Sequence, residues 1–435
     1  MPKLAIRGGK PLRTRPYPNY NSIGEEEKRA VIEVMESGVL SGYLGTWSPQ
    51  FYGGPKVQAL EREWAAYFRV RHAVSMNSAT SGLYAAVGAA GVGPGDEVIV
   101  TPYTMSASAT AALVYGGVPV FVDIDPVTYC LESKGVEAAI TRRTRAIMAV
   151  DLFGQPADMI ALKTIADRHG LILIEDAAQA AGATLHGRSA GTLAHIGVFS
   201  LNYHKVIHSG EGGVVVTSDD RLAERLQLIR NHAEVVVRDK GVEDISNLVG
   251  FNYRMTEIEA AIAIEQLRKL ERLVQARIDA ASELTRRLSS VPGLSAPQTR
   301  EGARHIYYSY AVQFDPQQIG ASRDVFVDAL RAEGVPAGKG YVMPIYLEPL
   351  YQRRVAIGRD GFPFRWGGAE SKVAYDRGLC PIAEKMHFDR LLTTNICHAS
   401  IGTEDLADWS DAVHKVLENV DELRVLKEPS CTASR

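Results

Sequence analysis

Cysteine is scarce in this 435-residue chain: Cys130, Cys380, Cys397 and Cys431 are widely spread and form no C-x-x-C pair. That spacing suggests neither a disulfide framework nor a zinc site, so no metal is expected and a reducing cytoplasm fits. Excess charge is lacking too. With 48 Lys and Arg against 51 Asp and Glu, the formal net charge is -3. There is no basic footprint for nucleic acid and no polybasic patch for a membrane, which leaves small molecules as the expected partners. The opening residues include Lys3, Arg7, Lys10, Arg13 and Arg15 but no apolar stretch of the signal-peptide kind, so nothing points to export. No strand is followed by G-x-G-x-x-G in a first βαβ unit, which disfavours a nicotinamide oxidoreductase. One uncharged run, residues 98–122, has the length of a membrane span. Pro102, Gly116, Gly117 and Pro119 punctuate it, so it reads instead as a buried strand, a small-residue helix and a second strand.

Short Val- and Ile-rich runs bounded by turn residues recur at residues 73–76, 98–101, 118–122, 146–152, 171–174, 197–201 and 213–217. Helical patterns separate the earlier ones, for instance at residues 81–90 and 158–169. Strand and helix therefore alternate as in an α/β protein whose mostly parallel sheet is covered on both faces. Residues 1–255 are expected to form this large unit with its N-terminal segment, and residues 256–292 a long linking helix. Residues 293–428 are expected to form a smaller α+β unit, with a strand at 306–314, a helix at 323–333 and a terminal helix near 403–425. Residues 429–435 read as a disordered tail.

Two segments carry chemistry. Ile172-Leu-Ile-Glu-Asp-Ala-Ala-Gln179 places Asp176 at the carboxyl end of a strand, where open α/β sheets bind ligands. Lys205 follows the apolar strand at residues 197–201 and precedes Gly210-Glu-Gly-Gly213, whose glycines allow close backbone approach. An amine that can form a Schiff base, together with a carboxylate that can keep a pyridine ring protonated, is what pyridoxal phosphate requires. Alone, Asp176 reads equally well as a helix cap; Lys205 favours the cofactor reading. In Met76-Asn-Ser-Ala-Thr-Ser-Gly-Leu83, small polar residues lead from a strand into a helix, so amides and the Thr80 hydroxyl could face a phosphate. Ser200 is a second hydroxyl candidate.

With these segments, Gly95-Asp-Glu-Val-Ile-Val100, Pro119-Val-Phe-Val-Asp-Ile-Asp125, Asp151-Leu-Phe-Gly154 and Gly250-Phe-Asn-Tyr-Arg-Met-Thr-Glu-Ile258 stand in an order that resembles the DegT-type sugar aminotransferases. The resemblance covers nearly the whole chain. It implies a fold-type I pyridoxal phosphate enzyme with a seven-stranded sheet. It also implies that Asp176 pairs with the pyridinium nitrogen, that Gln179 lies near the ring, and that Ala79, Thr80 and Ser200 surround the phosphate. A homodimer is implied, with Asn252 reaching the neighbouring subunit's phosphate. The reaction implied is ping-pong transfer from glutamate or glutamine to a keto sugar, often nucleotide-linked, or a cyclitol ketone. Ile6-Arg-Gly-Gly-Lys-Pro-Leu-Arg13 points toward the aminocyclitol branch. The alternatives are a dehydratase using pyridoxamine phosphate, whose family counterparts carry His at the lysine position and which His204 beside Lys205 keeps open, and a cofactor-binding regulator without turnover.

The chain departs from the family pattern twice. Met105, in Tyr103-Thr-Met105, stands where an aromatic usually covers the cofactor. It can pack a ring through its sulfur, or Tyr103 can compensate. The second departure is an insertion, Gly42-Tyr-Leu-Gly-Thr-Trp-Ser-Pro-Gln-Phe-Tyr52, which reads as a substrate lid or dimer contact and makes Tyr43 and Trp47 candidates for substrate contact. His305, Tyr307, Tyr308 and Tyr346 are further candidates for a polyhydroxy substrate, and each could equally be a packed side chain.

Overall fold

A computed structural model describes residues 3–423. The expected tail at 429–435 and the end of the terminal helix lie outside these residues. Seven strands form the large sheet: β1 (His72–Met76), β2 (Glu97–Val100), β3 (Val118–Phe121), β4 (Thr144–Val150), β5 (Ile172–Asp176), β6 (Ile196–Ser200) and β7 (Gly213–Thr217). Their order is β1-β7-β6-β5-β4-β2-β3. Only β7 runs against the others, pairing antiparallel with both β1 and β6. The inner strands are buried along almost their whole length, which is why they read as apolar runs and not as alternating ones. The uncharged stretch at 98–122 folds as β2, a helix Ala107–Val114 and β3. Among the described residues no helix is long and apolar enough to cross a membrane.

The helix Glu257–Leu288 opens on a capping box: Thr256 Oγ1 accepts from the Glu259 amide, and Glu259 Oε2 accepts from the Thr256 amide at 2.8 Å. Its 32 residues span about 48 Å. The first half, through Val274, packs with Leu60, Trp64 and Phe199 of the large unit. The second half, from Ala280 to Leu288, joins Phe314, Phe326 and Trp409 around a smaller antiparallel sheet. That sheet consists of β8 (Leu294–Ser295), β9 (Tyr310–Phe314), β10 (Gly338–Lys339) and β11 (Leu391–Thr394), in the order β8-β9-β11-β10.

Two departures from the sequence reading have physical causes. The strand expected over 306–314 begins only at Tyr310, because Tyr307 takes a left-handed φ of 50° and stacks on His305. The opening segment, grouped above with the large unit, packs on the smaller one. Leu4 is buried there, the amides of Ala5 and Leu12 donate to the Glu333 carboxylate at 2.9 Å, and Arg13 pairs with Asp405 at 2.9 Å.

Candidate active site

The carboxyl ends of the parallel strands, and the loops that follow them, converge on one cavity of about 160 Å3. Antiparallel β7 makes this convergence possible. Its first residue, Gly213, pairs with Met76 at the end of β1 on one side and with Ser200 at the end of β6 on the other. The loop after β1 and the end of β6 thus meet at one edge. A Cβ on Gly213 would stand 2.6 Å from the Ala79 nitrogen, so glycine is what lets the strand pass directly behind the helix Ala79–Ala89.

Asp176 ends β5 and is 5% exposed. Its Oδ2 accepts from Ser108 Oγ at 2.7 Å, and Oδ1 accepts from the Ala178 amide at 3.2 Å. Burial pushes its pKa up, while Ser108, Ala178 and the Lys205 charge pull it back. Lys205, half-buried, lines the same cavity. Desolvation lowers its amine to about 8, with Asp176 opposing. The neutral, nucleophilic form is therefore accessible near neutral pH. His204 stands beside it, held below its usual pKa by desolvation and by the Lys205 charge.

Ala79, Thr80, Met105, Gln179 and Ser200 all line this cavity with Lys205 and Asp176. Ser78 caps the helix by accepting from the Ser81 amide, which leaves the Ala79 and Thr80 amides ahead of any intrahelical acceptor. A helix start beside the Thr80 and Ser200 hydroxyls suits a phosphate; an amine and a buried carboxylate suit an aldehyde-bearing pyridine. The donor set fits pyridoxal phosphate. Among the described residues, no group of three or more His, Cys, Asp or Glu could hold a metal ion.

Sequence reasoning missed two of the residues assembled here. Ser108 lies inside a helix of small residues with nothing local to single it out, yet its hydroxyl secures Asp176. Tyr341 comes from the smaller unit, and its hydroxyl accepts from Gln179 Nε2 at 2.9 Å. Gln179 Oε1 accepts from the Phe153 amide at 2.8 Å, so both ends of that side chain are engaged. No local signal marks a contact between residues so far apart in sequence.

Comparison with known proteins agrees with this geometry. The sequence pattern of the DegT/DnrJ/EryC1/StrS aminotransferase family matches residues 21–366. The chain belongs to this family. It is 36% identical over 436 residues to the L-glutamine:2-deoxy-scyllo-inosose aminotransferase of Streptoalloteichus tenebrarius, spanning 97% of this chain and 99% of that protein. It is also 36% identical over 326 residues to the GDP-perosamine synthase of Caulobacter vibrioides, spanning 75% of this chain and 84% of that one. The crystal structure of DesV from S. venezuelae superposes with a TM-score of 0.76 at 32% identity, covering 90% of this chain and 94% of DesV. The fold is fold-type I, and the chain is an aminotransferase of the DegT/DnrJ/EryC1/StrS family.

Several other candidates are not brought to the cavity of this family member. Tyr346 is fully buried, with its hydroxyl on Glu384 and accepting from the Cys380 amide at 3.2 Å. His305 stacks on Tyr307 at 4.1 Å, its Nδ1 accepting from the Tyr307 amide; burial lowers its pKa to about 3. Tyr43 is buried, with the Arg230 guanidinium 5.0 Å from its ring centre. Trp47 packs against Phe51 and Tyr52 and lines a separate open groove of about 890 Å3 with Glu61, Arg62 and Arg71. The insertion thus folds onto its own unit and does not cover this cavity. Met105 is 54% exposed at the cavity mouth, whereas Tyr103 is buried away from it. Asn252 is exposed, its Oδ1 accepting from Arg254 Nε at 2.8 Å and its carbonyl from Asn77 Nδ2 at 3.4 Å.

Proposed function

We propose that this chain transfers the amino group of glutamine or glutamate to a cyclic polyhydroxy ketone, with a ketocyclitol as the favoured acceptor over a nucleotide-linked keto sugar. The observation that carries this reading is that the Lys205 amine and buried Asp176 line one cavity together with the start of the helix Ala79–Ala89. End-to-end similarity to an enzyme named for 2-deoxy-scyllo-inosose supports the acceptor class.

Ala79, Thr80 and Ser200 would hold the phosphate of pyridoxal phosphate, Asp176 its ring nitrogen, and Lys205 its aldehyde. When bound, the group supplies a carbonyl for amines and a protonated ring that draws electrons from the substrate carbon. Asp176, which accepts from Ser108 Oγ and the Ala178 amide, would hold a proton on the ring nitrogen. Lys205 would move a proton to and from the substrate carbon. In the cofactor-free chain burial draws its amine down to about 8, so the neutral form is accessible near neutral pH.

Incubation of the purified protein with pyridoxal phosphate, L-glutamine and 2-deoxy-scyllo-inosose, followed by mass spectrometry, tests the proposal. An aminated cyclitol from the parent and none from Lys205→Ala is the expected result. Amination of a nucleotide-linked keto sugar without any of the cyclitol would sink the acceptor assignment.

A further inference from the structure

Outside the large unit, the residue at the Lys205 amine is Tyr308. Its Oη lies 3.5 Å from Lys205 Nζ, at the outer reach of a hydrogen bond, and the same nitrogen sits 4.8 Å from the ring centre. The placement is built from both sides. The Ile306 amide donates to the Gly154 carbonyl at 2.9 Å and the Ser309 amide to the Phe153 carbonyl at 3.5 Å, which ties the segment to the loop after β4. A Cβ on Gly154 would stand 2.9 Å from the Tyr308 nitrogen, so a larger residue there would push the segment away. Behind it, buried Arg277 donates to the carbonyls of Tyr307, Tyr308 and Cys397 at 3.4, 3.5 and 3.1 Å.

We propose that Tyr308 is a positioning residue that holds the Lys205 amine over the reacting carbon in both half-reactions. This rests on reading Lys205 as the group that moves the proton. Burial, reinforced by Tyr341 and opposed by Arg277, raises the phenol's pKa, so the hydroxyl stays neutral throughout. A neutral hydroxyl serves the amine in both of its states. When Lys205 takes the proton from the substrate carbon, Oη accepts from the new ammonium; when Lys205 gives the proton up, the O–H turns to donate to the free amine. Tyr308 gains and loses nothing in the cycle. The other titratable groups around the pair are Asp176, His204, Tyr203, Tyr341 and Arg277.

Tyr308→Phe keeps the ring over Nζ and removes only the hydroxyl. In the cofactor-loaded enzyme, kcat is expected to fall about tenfold in each half-reaction, the effect of one hydrogen bond to a charged group. KM for glutamine and cofactor content should stay within about twofold, since the hydroxyl serves the amine and not donor binding. In the cofactor-free protein at pH 7, acetylation of Lys205 followed by peptide mass should be about threefold faster, because the lost hydrogen bond is stronger to the ammonium than to the free amine. Tyr308→Leu, lacking the ring as well, should be slower still in turnover. Unchanged kcat and unchanged Lys205 labelling in Tyr308→Phe would overturn the proposal, as would a rise in KM matching any loss in rate. Lys205→Ala separates the two levels. If it retains turnover, the underlying reading falls and Tyr308 with it; if it is inactive while Tyr308→Phe is normal, only the Tyr308 proposal falls.

Discussion

Lys205 shows how burial tunes a single residue. Its amine is drawn down to about 8 because desolvation outweighs the attraction of Asp176. Below that pH the neutral fraction grows about tenfold per unit. Capture of pyridoxal phosphate by the cofactor-free protein, followed by visible absorbance, should therefore accelerate about tenfold between pH 6.5 and 7.5 and level off above about pH 9. A rate still climbing at pH 10 would mean the amine titrates like an exposed lysine. Burial lowers His305 in the same sense, and there the shift acts on stability. Its folded pKa of about 3 lies below the ordinary 6.5, so on acidification the unfolded chain binds a proton that the native state refuses. Stability is full above about pH 6.5 and drains away as the pH falls toward about 3. At pH 5 the loss from this residue should be on the order of 2 kcal/mol. Urea midpoints at pH 7.5 and 5 would show it, and His305→Gln, which can still accept from the Tyr307 amide, should flatten the dependence. A parent midpoint indifferent to pH would refute the assignment.

The helix Glu257–Leu288 belongs to both cores, and Arg277 is where it meets the active-site segment. Its guanidinium is buried and carries the carbonyls of Tyr307, Tyr308 and Cys397 as well as the ring of Tyr20, 5.1 Å away. Arg277→Met would fill much of the volume but strand three acceptors. A loss of about 3 kcal/mol in urea unfolding is expected, together with lower kcat as Tyr308 loosens. A stable variant with full activity would show that the helix does not set that segment. Elements of this kind differ in how far the sequence displays them. The seven strands and the long helix were legible because their burial is continuous or 3.6-periodic, and the glycines and Thr256 mark their ends. The reversed direction of β7 was not, since Gly213–Thr217 has the same apolar composition in either orientation. Nor was the break at Tyr307, because nothing in a run of aromatics announces a positive φ. Lys205 and Asp176 stood out through their local context. Ser108 and Tyr341 act only through partners 68 and 162 positions away, which no spacing rule encodes.

At the scale of the whole molecule, the insertion and Asn252 bear on assembly. The insertion is held from within its own unit: Phe51 is 1% exposed, and Asn231 Nδ2 donates to the carbonyls of Leu44 and Phe51 at 2.9 and 3.1 Å. Removing it would open the core and penalise both half-reactions together, so a deletion does not separate a lid from a contact surface. Asn252 offers a cleaner test. It is exposed and lies outside its own cavity, and the family resemblance implies that it reaches into a second copy's phosphate site. If so, Lys205→Ala and Asn252→Ala should each be impaired as homodimers but complement one another. In a mixed dimer, the intact Lys205 of one chain meets the intact Asn252 of the other at one of its two sites. Random reassortment makes half of the dimers mixed, so co-refolded variants should recover about a quarter of parental activity. Recovery no greater than the sum of the separate variants would mean that Asn252 serves its own subunit or none, and that each chain builds its site alone.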